Sequence, residues 1–400
     1  MRLSNIPSVI AASSLAFSAV NGLNVLISND DGFGTANIRE LYKAMKAFGH
    51  NVYIVASVTN QSGMGGSEVY TKYKNLTADS EFGIVKAGAP SIGTDPIDSH
   101  IWYYNGTPTT QIQVALDYIL PRYTNLTTFD LVLSGVNYGT NMGPFLYTLA
   151  GTLGATYTAV ERGIPAIAFS GVYGVQTPYY WVNTTTKAGL KDPATIMGQM
   201  SANLAQQIII NAKGGPILPL GYGVNVNIPL ITSFVDDSCV DPPFIHTRMT
   251  GGATVDKAGY NETTGLFSWV DAILPASNQC INGDCSLPGE TDVVEGGCQA
   301  SVTVFTVDYD APSGSCGVSP DVKTGFTPLV QFANSTNLVG GLNGTSPYAN
   351  ATTVTTSVST SATAPASASS TGPVISNDAE PSSPGRLMAM AGLVMFVAML

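Results

Sequence analysis

The sequence predicts an α/β fold: a Rossmann-like three-layer sandwich on a mostly parallel sheet, with a β-rich C-terminal extension. Three observations carry that prediction. The apolar run Val25-Leu26-Ile27 stops at the adjacent carboxylates of Asp30 and Asp31, and a short run without polar alternation reads as a parallel strand buried on both faces. Segments of helical period alternate with further apolar runs, as parallel strand, helix, strand units require. The loops after these runs are rich in Gly, Asn, Ser and Thr. In open α/β sheets, the edge at the carboxyl ends of the strands is where ligands bind.

The first strand therefore delivers two acids to a ligand-binding edge. Neighbouring carboxylates there repel unless a cation lies between them, so the pair points to a metal site. A lone Asp-Asp-Gly is also a common turn former. A dinucleotide site fits less well, because Gly32-x-Gly34-x-x-Asn37 lacks the third glycine and sets acids where pyrophosphate oxygens would lie.

Ile38, Leu41, Tyr42, Met45 and Phe48 have helical spacing over Ala36 to Phe48, with Gly49 as a stop. Val52 to Ala56 is the second strand, and its exit loop runs from Ser57 to Ser67. A helix from Thr109 to Leu120 follows Asn105-Gly106-Thr107-Pro108, and Phe129 to Leu133 is the next strand. Its exit, Ser134 to Gly143, carries amide and hydroxyl side chains among glycines that let backbone approach a ligand. A helix opening at Gly151-Thr152 and running to about Arg162 can hold an anion on its first amides. Ala166 to Phe169 is one more strand to the same edge, and a β-rich segment is expected from about Thr232 to Asp308.

The ends of the chain have their own logic. Residues 1–22 have one basic residue, an apolar stretch and no acid, the layout of a secretory signal peptide cleaved after Ser18 or Gly22. Residues 23–332 are assigned to the folded domain. Residues 333–376 read as a Ser/Thr-rich, O-glycosylated stalk that cannot bury a core. Residues 377–400 combine small residues, a polar spacer and a short apolar tail, as in a GPI-attachment signal. The expected location is therefore secreted or at the cell surface, with membrane contact only through a lipid anchor.

Sequons at Asn75, Asn125, Asn183, Asn261, Asn334, Asn343 and Asn350 fit the secretory route, while those at Asn60 and Asn105 fall within motifs and are expected to stay unmodified. The net charge of −11 argues against binding to nucleic-acid duplexes. The cysteines are Cys239, Cys280, Cys285, Cys298 and Cys316; in a secreted chain they should mostly pair, in a pattern that spacing does not reveal. Zinc is a poor reading, since Cys280-x4-Cys285 has no matching second pair. His50 is expected at a helix end near the polar surface, and nothing ties His100 or His246 to chemistry.

In order, Ser28-Asn29-Asp30-Asp31-Gly32, Gln61-Ser62-Gly63, Gly106-Thr107-Pro108 and Asp130 to Asn137 with Gly139, Asn141 and Gly143 resemble the SurE family of metal-dependent phosphatases and nucleotidases. Weaker matches continue through Val224 to Pro229, Thr291-Asp292 and Ser301-Val302-Thr303. The leader and tail give the layout of a secreted, fungal-type member. The resemblance implies metal ligands at Asp30, Asp31, Ser62 and Asn137, and substrate contacts from Ser62, Gly63, Asn137, Asn141, Gly151 and Thr152. It also suggests a homodimer. The residues themselves agree on the cation, since all four ligands offer hard oxygen, suited to one Mg²⁺ or Mn²⁺ rather than zinc. The chain departs from the family in having Ala150 where a serine is usual, one extra residue before it, and Asn37 in place of a glycine.

The expected function is hydrolysis of phosphate monoesters, of the acid phosphatase or 5′- or 3′-nucleotidase type, with Asp30 and Asp31 as catalytic residues and a phosphorylated small molecule as substrate. The alternative is a cell-surface glycoprotein that keeps the fold for binding or adhesion without turnover. An acyl hydrolase with Ser62 or Ser134 as nucleophile is disfavoured, because Ser134 lacks the Gly-x-Ser-x-Gly elbow and no histidine is placed as its base.

Overall fold

The computed structural model describes residues 22–143, 149–172, 174–249, 256–271, 280 and 284–308. The chain divides into the units Met1–Leu329 and Val330–Leu400, and every described residue belongs to the first. The signal peptide, stalk and anchor signal, together with Cys316 and the sequons at Asn334, Asn343 and Asn350, lie outside the described residues, apart from Gly22.

The central strand is β1 (Asn24–Ser28). Val25, Leu26 and Ile27 are fully buried, with Val25 and Ile27 in one apolar cluster and Leu26 in the other. Such a strand has no solvent face, which is why its sequence shows no alternation. Helix α1 (Ala36–Ala47) leads to β2 (Asn51–Ser57), parallel to β1. The short β3 (Ile92–Thr94) and β4 (Ile101–Tyr104) complete that half of the sheet.

Helix α2 (Pro108–Val114) runs through a π-helical turn (Ala115–Ile119) into α3 (Leu120–Tyr123), so the single helix expected over Thr109 to Leu120 has a wider turn within it. Strand β5 (Leu131–Tyr138) pairs with β1 on its other side. Then follow α4 (Gly151–Glu161), β6 (Ala166–Gly171), α5 (Pro193–Ala212) and β7 (Tyr222–Ile228).

With β8 (Phe244–Thr247) and β11 (Ala300–Thr306), the nine-stranded sheet has the order β3-β4-β2-β1-β5-β6-β7-β11-β8. From β4 to β7 its neighbours are all parallel. Residues of α1 and α5 share the cluster on one face, and those of α2 and α4 the cluster on the other. That is the predicted three-layer α/β arrangement.

The C-terminal β-rich part divides its strands. β8 (Phe244–Thr247) and β11 (Ala300–Thr306) extend the main sheet, β11 antiparallel to β7. β9 (Asp256–Asn261) and β10 (Leu266–Asp271) form a separate antiparallel pair. The short α6 (Glu290–Glu295) precedes β11. Disulfides join Cys239 to Cys298 and Cys280 to Cys285.

Two readings change. His50 is 6% exposed rather than at a polar surface: its Nδ1 accepts from Leu23 N at 3.1 Å and its Nε2 pairs with Gln206 Oε1 at 2.7 Å. Strand β5 does not end at Leu133 but continues through Ser134 to Tyr138 after an irregularity against β6. Gly135 permits this, because its φ is +126° and a Cβ there would lie 2.1 Å from Phe169 O. The segment expected as an exit loop is thus partly a strand held in register with Ser170 and Gly171.

Candidate active site

The chain runs from β1 outward to β2 and β4, then returns to build β5, β6 and β7 on the other side of β1. The order reverses between β1 and β5, where open α/β sheets form a crevice at the carboxyl ends of their strands. Asp30 and Asp31 lie there, 2% and 0% exposed. The loop behind them is clamped by Arg39. Its Nε donates to Phe33 O at 2.6 Å, its guanidinium pairs with the buried Asp95, and its charge lies 4.5 Å from the Tyr179 ring centre. Removing one partner of such a buried pair costs about 3–5 kcal/mol, so the clamp is a strong structural constraint on this loop.

The acids have different partners. Asp30 Oδ1 accepts from Thr152 Oγ1 at 2.9 Å, and the amides of Gly151 and Thr152 at the start of α4 also face its carboxylate. This approach needs glycine at 151, where a Cβ would meet Asp30 Cβ at 2.8 Å and Oδ2 at 2.9 Å. Asp31 Oδ2 accepts from Asn29 Nδ2 at 2.9 Å and from Tyr138 N at 2.8 Å, and Gln176 donates to Oδ1. Asn29 Oδ1 in turn accepts from Asp30 N at 2.9 Å, so one asparagine sets both acids.

Burial raises the proton affinity of Asp30 despite its hydrogen bonds. Burial raises that of Asp31 further, with the Asp30 charge as the second cause. Among the described residues no Lys, Arg or His pairs with either carboxylate, and no three or more His, Cys, Asp or Glu are grouped so as to hold a metal ion by themselves. Two buried like charges are costly to ionise together without a cation.

Asn137 adds a neutral oxygen. It is 7% exposed, and its Nδ2 donates to Gly139 O at 2.9 Å, leaving Oδ1 buried without a partner. An orphaned hard oxygen one residue from Tyr138, whose amide holds Asp31, fits a hard divalent cation better than a closed core.

Of the residues expected at the site, Asp30 meets Gly151 and Thr152 directly, and Asp31 is held by the amide of Tyr138, the residue after Asn137. Ser62 and Gly63 lie on the exposed loop after β2. That loop is tied to the acids by backbone: Gln61 N donates to Asp30 O at 2.7 Å, and Ser62 N is held by Asn60 Oδ1 at 2.7 Å. Asn141 is gripped elsewhere, its Nδ2 on Ser170 Oγ at 2.8 Å and its backbone on Asn225 and Asn227.

Sequence reasoning gave no role to Asn29, Gln176, Asn225, Asn227 or Glu290. The first stood inside the acid motif, and the alternation Val224-Asn225-Val226-Asn227 marks buried amides in a strand. Gln176 left no signal, because only the fold brings it to Asp31.

A family model described as survival protein SurE matches residues 25–250. This chain belongs to the SurE family. It is 43% identical to an acid phosphatase of Yarrowia lipolytica over 314 residues, covering 77% of this chain and 85% of that relative. It is 36% identical to a 5′-nucleotidase SurE of Desulfovibrio desulfuricans over 149 residues, 37% of this chain and 49% of that protein. The chain thus spans about half the length of this bacterial relative. Among solved structures, the SurE protein of Aquifex aeolicus overlays with a TM-score of 0.47 at 23% identity, covering 72% of this chain and 94% of that one.

Proposed function

We propose that this SurE-family protein hydrolyses phosphate monoesters, nucleoside monophosphates among them, at the edge between β1 and β5, with Mg²⁺ or Mn²⁺ held by Asp30, Asp31, Ser62 and Asn137. The observation that carries the reading is the buried pair Asp30 and Asp31, which among the described residues makes no ion pair with a cationic side chain. The names of the relatives, acid phosphatase and 5′-nucleotidase, support the same reaction class.

The cation would supply Lewis-acid stabilisation of charge on the phosphoryl group and acidify water. The chain supplies the rest. Asp30 orients the attacking water and takes its proton, a role suited to a carboxylate whose proton affinity burial has raised. The amides of Gly63, Gly151 and Thr152 and the side chain of Asn141 hold phosphoryl oxygens. Loss of a serine hydroxyl at Ala150 leaves the helix-start amides to carry that contact. No side chain needs to become phosphorylated.

Secretion, with a GPI anchor, completes the proposal. The sequon asparagines Asn75, Asn125, Asn183 and Asn261 are all exposed.

The test is phosphate release from an aryl phosphate and from nucleoside monophosphates, with Mg²⁺, Mn²⁺ or EDTA. Asp30→Asn should cost about 10²- to 10⁴-fold in turnover while leaving the melting transition intact, and EDTA should abolish turnover reversibly. Retained turnover in that variant would take the acid pair out of the mechanism. A folded protein supplied with the cation that released no phosphate across the panel and pH range would favour a binding glycoprotein.

A further inference from the structure

Glu290 opens α6, beyond the residues that the SurE family model matches. It is 0% exposed, and its carboxylate is a junction. Oε1 accepts from Gly143 N at 2.9 Å, while Oε2 accepts from Asn225 Nδ2 at 3.1 Å and from Thr303 Oγ1 at 3.3 Å. Thr303 also pairs with Thr247 at 2.7 Å.

The same Asn225 amide donates to Asn141 O at 3.0 Å. Asn227 donates to that oxygen at 3.0 Å and accepts from Asn141 N at 2.7 Å. Glu290 therefore grips both ends of Asn141-Met142-Gly143, directly at Gly143 and through one amide at Asn141. Asn225 and Asn227 of β7 converge with it on the backbone of Asn141 and Gly143, while Ser170 of β6 accepts from the Asn141 side chain and Thr303 of β11 donates to Glu290 itself. A buried carboxylate is costly to desolvate, and here that cost is set against hydrogen bonds that fix a backbone segment.

We propose that Glu290 is a positioning residue for phosphate recognition: it fixes the Asn141–Gly143 segment so that Asn141 meets the substrate's phosphate group. The proposal rests on the reading of Asn141 as a phosphate contact. It assigns to the C-terminal extension a part in binding the substrate and none in binding the cation, whose proposed ligands stand just after β1, on β5 and on the loop after β2.

The experiment uses the full chain and inorganic phosphate as the probe. Phosphate affinity is measured by calorimetry in the presence of Mn²⁺, and Mn²⁺ affinity by electron paramagnetic resonance, for Glu290→Gln, Asn141→Ala and the double variant. Asn141→Ala and Glu290→Gln should each weaken phosphate binding by about tenfold, as loss of a hydrogen bond to a charged group does. Mn²⁺ affinity in Glu290→Gln should stay within about twofold, and the double variant should bind phosphate no more weakly than Asn141→Ala alone.

Wild-type phosphate affinity in Glu290→Gln, losses that multiply in the double variant, or a parallel fall in Mn²⁺ affinity would each overturn the proposal. Unchanged phosphate binding in Asn141→Ala would instead overturn the reading of Asn141 beneath it. Should Glu290→Gln not fold, Asn225→Ala, which cuts the link between Oε2 and Asn141 O, is read in the same cycle with the same outcomes.

Discussion

At the amino edge of the sheet the chain leaves a cleft of about 530 Å³, lined by Leu23, Pro165, Ile217, Leu220 and Gly221 among others. At the carboxyl edge Asn29 bonds Asp31, Thr152 bonds Asp30, and the two neighbouring buried acids stand against a helix start. The amino-edge cleft is the chemically poorer of the two. Its lining is mostly Gly, Pro and aliphatic, and its acid, Asp130, is already engaged by Asn24 N at 2.8 Å. Volume measures what the chain failed to fill. The carboxyl edge is marked instead by what it holds at a cost: two buried ionisable groups, and a buried oxygen of Asn137 with no hydrogen-bond partner.

Gly151→Ala should have the largest effect on this contrast. The added Cβ would meet Asp30 Cβ, which is not a flexible side-chain end, so α4 or the acid must move. A displacement of about 1 Å should lower kcat/KM by about 10²-fold, measured beside a melting curve to show that the fold survives. Wild-type turnover would mean that contact between α4 and Asp30 is dispensable.

Next comes the pH dependence of the cation-free protein. The folded-state affinities of both acids for protons are raised above the ordinary carboxylate value of 3.8. Their stabilising contribution is therefore fully present below that value and lost as pH rises through the raised folded values. With EDTA present, wild type should lose several degrees of Tm between acid and neutral pH relative to Asp31→Asn, and Mn²⁺ should restore them in wild type. A parallel pH profile for the two proteins would show that the pair carries no such strain.

The smallest effect is expected at the other edge. Leu220→Ser, at a residue 67% exposed in the amino-edge cleft, should leave kcat/KM within about twofold, as surface substitutions do. A tenfold loss would tie the cleft to turnover and dissolve the contrast.

Much of the fold was legible because burial on both faces leaves its mark on composition. Val25-Leu26-Ile27 has no polar alternation for that reason, and α1 was legible from the spacing of Ile38, Leu41, Tyr42 and Met45, all of which are buried. The end of β5 was not legible. Ser134, Gly135 and Asn137 are turn formers by propensity, yet pairing with Ala168 and Ser170 on β6 holds them in the sheet. His50 was misjudged for a related cause, since its partners Leu23 and Gln206 are far away in sequence.

The same division runs through the candidate site. Asp30, Asp31, Gly151 and Thr152 could be named because each stands at a strand exit or a helix start, where local sequence carries both the turn and the chemistry. Gln176 on Asp31, Glu290 on Gly143 and the Cys239–Cys298 disulfide follow no local pattern. Periodicity and turn chemistry reach only a few residues along the chain, so they settled which elements form and which side chains arrive at the carboxyl edge. Which distant amides and carboxylates close around those side chains depended on the order of nine strands, and that order is decided by how the layers pack.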